Sequence, residues 1–163
     1  MNASTGRKEI VIPKEKAVFW MDEKGRWHNQ HGLFQHKKII DYFNASIHKD
    51  KNGYFVQQSN GNVIEKVYFR YQETALFVVD LMMGDPMVLK LNTQVRLELE
   101  PEKLILCNDK LYYCLGDEIA KFNERSLLRI SENITRIKGQ YFITVGPRRT
   151  ALVEAISLDH FMI

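Results

Sequence analysis

No stretch of this chain approaches the about eighteen consecutive apolar residues that a membrane-spanning helix needs, which excludes a helical membrane span. Cysteine is scarce. The two thiols, Cys107 and Cys114, stand seven positions apart across a turn, form no C-x-x-C, and suit structural burial rather than redox or metal chemistry. The opening MNASTGRKEIVIPKEK has no apolar core of a secretory signal, so the expected compartment is the cytoplasm, with reduced thiols. In that compartment the three sequons at Asn2, Asn44 and Asn133 are coincidental.

Charge of one sign is also missing. Twenty-three Lys and Arg against 20 Asp and Glu leave a net +3, and Lys14, Lys16, Lys37, Lys38, Lys49 and Lys51 are interleaved with Asp22, Glu23, Asp41 and Asp50. Without a basic stripe, nucleic acid is not an expected partner. There is no G-x-S-x-G, P-loop or G-x-G-x-x-G, so nothing names a reaction, and no catalytic residue or cofactor is assigned. His28, His31, His36 and His48 fall short of a metal site: His28 and His31 would point to opposite faces of an extended strand, and no cysteine or carboxylate stands at ligand spacing. Glu98 and Glu100 share one strand face, the pattern of a solvated edge rather than a glycosidase pair.

What is present is a folding pattern. A hydrophobic content of 45% with 26% charged residues lies in the globular range, and 163 residues suffice for a core without staples. Residues 1–16 are polar and lysine-rich, a flexible lead-in. AVFWMDEKGRWHNQ follows as a hairpin turning at Gly25. HKKIIDYFNASI is helical, with Ile40, Phe43 and Ile47 on one face and Asn52-Gly53 as the stop. A strand starts at Tyr54-Phe55-Val56. The second half has the same order: the hairpin LILCNDKLYYCL, the helix ERSLLRISENI capped by Asn123 and ended by Lys138-Gly139, then Tyr141-Phe142-Ile143. Ile40 and Leu127, Phe43 and Ile130, Ile47 and Ile134, Tyr54 and Tyr141, and Phe55 and Phe142 are each 87 residues apart. That constant offset predicts internal duplication, with halves at 17–91 and 92–163 in one compact unit.

Further strands are predicted in VIEKVYF, ALFVVDLMM, MVLKL, VRLELE and from Arg148 to Ile156. VRLELE alternates strictly, with Val95, Leu97 and Leu99 on one face. Hairpins imply mostly antiparallel sheets, so the fold class is α+β: two repeated β-hairpin–helix–strand units.

The elements around Trp27, His31-Gly32, Gly53-Tyr54-Phe55, Ile64-Glu65-Lys66 and Asn92 resemble the bacterial domain of unknown function family 1285. That family has an aromatic hairpin with a tryptophan and a histidine–glycine element, a helix, a Gly-Tyr-Tyr strand, a Pro-Val-Glu-Lys segment and a Thr-Asn element before an alternating strand. Here Asn62-Val63 stands in place of the proline, and Asn92-Thr93 has the opposite order. The resemblance covers roughly residues 18 to 156. It implies two similar β-plus-α halves and a role in ligand binding or signalling, with no reaction attached.

Candidate ligand-binding residues are Trp27, His31, Glu65, Arg70, Asn92, Arg148 and Arg149. Glu65 sits between apolar positions of a strand: facing inward it needs Arg70, Arg148 or Arg149 as a partner, facing outward it pairs with Lys66. Arg148-Arg149 after Gly146-Pro147 is either an anion fork or an ordinary charged turn. The leading expectation is a small-molecule-binding or regulatory, signal-transducing module, with a small-molecule or anionic ligand in a cleft between the halves lined by aromatics such as Trp20, Tyr68 and Phe69. The rival is protein interaction or self-association through an exposed edge such as ALFVVDLMM. Nucleic-acid binding through Lys37, Lys38, Lys49 and Lys51 ranks third, and oligomeric state is left open.

Overall fold

A computed structural model describes residues 6–159, so the sequon at Asn2 and the first five lead-in residues lie outside it. The chain is an α+β fold in two units, Met1–Ala75 and Leu76–Ile163. The halves drawn from the 87-residue offset, 17–91 and 92–163, would cut the larger sheet of the second unit.

Unit 1 begins with β1 (Lys8–Ile12), inside the segment assigned to the lead-in. It pairs parallel with β7 (Val63–Tyr68) at the edge of the sheet β1-β7-β6-β5, where β5 is Ile47–Asp50 and β6 is Gly53–Asn60. The Ile10-Val11-Ile12 run of β1 is β-branched, but an edge strand gains ladder hydrogen bonds on one side only and leaves Ile10 and Val11 exposed. A second sheet is the meander β2 (Phe19–Met21), β3 (Trp27–Asn29) and β4 (Gly32–Leu33). The helix α1 (Lys37–Ala45) follows. It is shorter than its apolar spacing predicts. Ser46 ends it, with its hydroxyl donating to the Tyr42 carbonyl at 2.6 Å, and the β-branched Ile47 opens β5. Asn52-Gly53 is therefore the β5–β6 turn and not a helix stop, with Gly53 at φ 113°.

Rings hold unit 1 together. Trp27 is 1% exposed and meets Phe69 at 4.8 Å, Phe43 at 5.4 Å and Phe19 at 5.7 Å, all edge-to-face. Phe43 is the ring that α1 inserts, and it also meets Phe34 at 5.1 Å. Such pairs add about 0.5–1.5 kcal/mol each beyond their buried area. The indole N–H of Trp27 donates to Asn44 Oδ1 at 2.7 Å, so Asn44, one of the sequons, has a structural task.

Unit 2 is built on a seven-stranded sheet, β10-β9-β8-β13-β12-β11-β17. Its strands are β8 (Leu76–Met82), β9 (Val88–Leu91), β10 (Arg96–Glu98), β11 (Leu104–Cys107), β12 (Lys110–Leu115), β13 (Glu118–Phe122) and β17 (Val153–Glu154). Aliphatics dominate its core: Leu89, Leu104, Leu111 and Ile130 are 0% exposed. ALFVVDLMM is no edge, since β8 lies between β9 and β13. Parallel β8–β13 pairing buries it on both sides, which suits a near-continuous apolar run. The helix α2 (Glu124–Ser131) packs on β8, and Asn123 Oδ1 caps it by accepting from the Ser126 N–H at 2.9 Å. Ile134, placed on the helix by its spacing, instead opens β14 (Ile134–Ile137), so Lys138-Gly139 is the turn to β15 (Gln140–Val145). The chain returns through β16 (Arg148–Ala151), completing the meander β14-β15-β16. The final segment breaks after Ala151, and β17 joins the larger sheet parallel to β11.

The hairpins that follow the two helices share one register. Ile47 pairs with Val56, His48 with Phe55 and Lys49 with Tyr54; Ile134 pairs with Ile143, Thr135 with Phe142 and Arg136 with Tyr141, each 87 residues on. The cation over a tyrosine recurs too, Lys49 at 5.8 Å from the Tyr54 ring centre and Arg136 at 5.3 Å from that of Tyr141.

Candidate functional site

The sequence Phe19-Trp20-Met21 alternates in burial: Phe19 and Met21 point into the ring cluster and Trp20 points out, 41% exposed. On the neighbouring strand His28 stands directly opposite Trp20, and the two rings stack with centres 5.8 Å apart and planes 6° from parallel. The His28 Nε2–H donates to Asp22 Oδ2 at 2.7 Å. Asp22 also accepts from the Lys24 N–H at 2.9 Å, the Arg26 N–H at 3.0 Å and Arg26 Nε at 2.9 Å. Burial pushes the Asp22 carboxyl up, but these donors, His28 first, outweigh it and hold its pKa at about 2. One carboxylate therefore closes the turn and fixes the histidine on which Trp20 lies.

In front of Trp20 a surface recess of about 350 Å³ is lined by Lys14, Trp20, Met21, Arg70, Tyr71 and Gln72, among others. Lys14 comes from a 3-10 turn, Lys14–Lys16, that leads into β2. Arg70 follows β7, and its carbonyl accepts from the Met21 N–H at 2.9 Å, tying its backbone to β2. Neither Lys14 nor Arg70 has an ion-pair partner among the described residues. Tyr71 packs edge-on against Tyr54 at 5.1 Å and Phe69 at 5.8 Å, and burial pushes its phenol pKa up, keeping it neutral at physiological pH. Its hydroxyl would lie 3.3 Å from a Cβ at position 53, so Gly53 leaves the room it uses. Two permanent cations, an indole face and a neutral phenol can hold an anion that carries a flat ring.

A second recess of about 390 Å³ in unit 1 is lined by Asn29, His31, Leu33, Phe34, His36 and Ile39, among others. His31 sits on its rim, with Nε2 3.3 Å from Gln30 Nε2. No group of three metal-ligating side chains occurs among the described residues.

The remaining candidates are dispersed. Trp27 is a core ring. Glu65 is half-buried on β7, opposite Gln58 and Ile10, and within unit 1 no ion pair joins it to Arg70 or Lys66; Lys66 instead meets Glu9 at 3.5 Å. Asn92 is buried in unit 2, where its Oδ1 accepts from the Phe77 N–H at 3.0 Å and its own N–H donates to the Phe77 carbonyl at 2.9 Å, which pins the β9–β10 turn to β8. Arg148 and Arg149 are neighbours on β16 and so point to opposite sheet faces; they do not form one fork. Of the seven candidates, only Arg70 lies in the Trp20 recess. Sequence reasoning missed Lys14 and Tyr71 there, and Asp22 behind it as the carboxylate that holds His28, although the alternation Phe-Trp-Met already marks Trp20 as the outward residue.

The fold is that of two solved proteins. The chain is similar to a DUF1285 family protein from Silicibacter pomeroyi DSS-3, with TM-score 0.59 and 12% identity over 90% of this chain and 84% of that one. It is similar also to a DUF1285 family protein from Shewanella baltica OS155, with TM-score 0.52 and 15% identity over 73% of this chain and 94% of that one. No family model matches the sequence, and no curated protein does. At these identities the likeness speaks for the fold alone.

Proposed function

We propose that this protein is a small-molecule-binding module, regulatory in character, whose ligand is an anion bearing a flat ring held in the Trp20 recess. The observation that carries this reading is the pair of unneutralised cations, Lys14 and Arg70, beside an exposed indole in a concave site. Isolated surface lysines and arginines are ordinary, but two without carboxylate partners around an outward tryptophan leave both charge and apolar area to be satisfied by something else. Thermal-shift measurements with nucleoside monophosphates, an aromatic carboxylate and inorganic phosphate test it. A ring-bearing anion should stabilise the chain by about 2.7 kcal/mol at a hundredfold excess over its Kd. Arg70→Ala and Lys14→Ala should each abolish the shift. If no ring-bearing anion shifts the midpoint, or if Arg70→Ala leaves the shift intact, the reading is wrong.

A second reading, self-association through a strand edge, is favoured by β1, an edge strand whose Ile10 and Val11 are 39% and 53% exposed. Light scattering decides it: a monomer at high concentration removes this reading. We further infer that the two helix–hairpin segments are copies of one ancestral unit, on the strength of their common register. Exchanging residues 46–57 with 133–144 should then give a folded chain, whereas an aggregate would speak against the copies.

A further inference from the structure

The β14-β15-β16 sheet has a charge pattern that the whole-chain balance conceals. Between Ile134 and Leu152 there are four cations, Arg136, Lys138, Arg148 and Arg149, and no aspartate or glutamate. None of the four has an ion-pair partner among the described residues. The pairings Thr135–Phe142, Phe142–Ala151, Thr144–Arg149 and Ile137–Gln140 place these residues on one face, opposite the face that buries Ile143 and Leu152. On this outer face the Arg149 guanidinium lies 5.2 Å from the centre of the Phe142 ring. Lys138 stands at the β14–β15 turn, and the threonine and glutamine side chains lie between; Arg136, opposite Tyr141, and Arg148, opposite Val145, belong to the other face.

The matched hairpin of unit 1 shows what such a face looks like when it is closed. There Phe55 occupies the position of Phe142, and Lys66 lies 5.0 Å from its ring centre, much as Arg149 does over Phe142. Lys66 is neutralised by Glu9 of the added strand β1, and Asp50 accepts from the Tyr68 hydroxyl at 2.5 Å on the same face. Among the described residues, unit 2 has no strand in the place of β1, and its β14-β15-β16 strands carry no acid. Among elements beside the sheet, Asp85 lies against Gly146 at the β15–β16 turn, and the 3-10 turn Pro101–Lys103 adjoins β16, with Glu100 already paired to Lys103.

We propose that this open face binds single-stranded RNA. Phosphates complement Arg149 and Lys138, an unpaired base stacks on the Phe142–Arg149 pair, and Thr135, Gln140 and Thr144 offer hydrogen bonds to base edges and 2′-hydroxyls. Total charge is the wrong guide here, because 23 cations and 20 anions cancel over the chain while their distribution does not.

Fluorescence anisotropy with a labelled oligouridine of about ten nucleotides tests the proposal on the full chain, at salt from about 50 to about 200 mM. Binding should weaken steeply as salt rises. Arg149→Glu, at an exposed position, should weaken it at least tenfold, and Phe142→Ala about fivefold or more. Lys138→Ala should lower the salt slope by about one. Lys51→Ala in unit 1 serves as a control and should bind like the unaltered chain. Phe142 is half-buried, so circular dichroism accompanies that variant, and Arg149→Glu decides the matter if Phe142→Ala fails to fold. No binding up to about 100 µM at the lowest salt overturns the proposal. So does equal affinity for duplex RNA or for oligodeoxythymidine, or an Arg149→Glu variant that binds unchanged.

Discussion

Each unit contains a three-strand meander, a helix and a second meander among its strands, yet different chemistry holds each one. In unit 1 the helix is fastened by rings: Phe43 reaches into Phe19, Trp27 and Phe34, and no residue of α1 is fully buried. In unit 2 the first meander is widened by β8, β9 and β10 into a large sheet, and α2 lies on it with Ile130 fully buried. A small sheet offers little area for a helix to cover, so unit 1 depends on a few large side chains at fixed angles. A wide sheet spreads the same task over many aliphatic contacts, and no one of them matters as much.

The widest test of that contrast is removal of one anchor from each unit. Trp27→Ala should cost about 3–5 kcal/mol, enough to unfold unit 1 at ordinary temperature, and Leu104→Ala in unit 2 about 2–5 kcal/mol with the unit still folded. Urea titration followed by circular dichroism reads both, and equal loss of structure in the two variants would break the comparison.

Next in size is Gly146→Ala. A Cβ there would lie 2.3 Å from Asp85 Oδ2, at φ 56°, so strain and overpacking together should cost about 1–3 kcal/mol. Gly139→Ala, at φ 81° in open space, should cost only the backbone share, about 1 kcal/mol. Similar thermal midpoints for the two would remove the Asp85 contact from the account.

Two hairpins provide the third contrast. The β2–β3 hairpin of unit 1 is closed by the Asp22 carboxylate, the β11–β12 hairpin of unit 2 by backbone geometry, with Asn108 at φ 51° and Asp109 at φ 62°. The folded pKa of Asp22, about 2, lies below its ordinary 3.8, so its contribution is present above pH 4 and disappears as pH falls toward 2. After allowance for solvent screening this is worth about 1 kcal/mol. Unit 1 should lose stability over that window, and Asp22→Asn should flatten the acid limb of its unfolding midpoint; an unchanged limb would refute the assignment.

Smallest are the caps. Asn123→Ala should destabilise α2 by about 1 kcal/mol, whereas α1, whose His36 makes no capping bond, should gain a few tenths to about 1 kcal/mol from His36→Asp. Guanidinium midpoints for the two variants should therefore move in opposite directions.

Much of this was legible in the residues. The hairpin at Gly25, the cap at Asn123 and the strict alternation of VRLELE carry local signals, and the α+β class follows from them. The helix ends were not legible, because Ile47 and Ile134 keep the helical spacing by coincidence while opening strands. β1 carries a local mark, the β-branched run Ile10-Val11-Ile12, but the run is short and set among lysines and glutamates, and its pairing with β7 is a long-range parallel contact. At the recess Arg70 was anticipated as a ligand contact and Trp20 as a lining aromatic. Lys14 and Tyr71 meet it through chain segments more than fifty residues apart, and no local pattern encodes such a meeting.

Both tryptophans of the chain belong to unit 1, and they sit in opposite surroundings. Trp27 is enclosed with its N–H bonded to an amide; Trp20 lies open against an imidazole. The protein thus contains two optical reporters that water separates. Blue-shifted emission belongs to the enclosed indole and registers whether unit 1 is folded. Red-shifted emission, accessible to iodide and acrylamide, belongs to the open one and registers what lies in the recess. Unit 2 contributes no indole signal at all, so a single emission spectrum distinguishes loss of the fold from occupation of the recess.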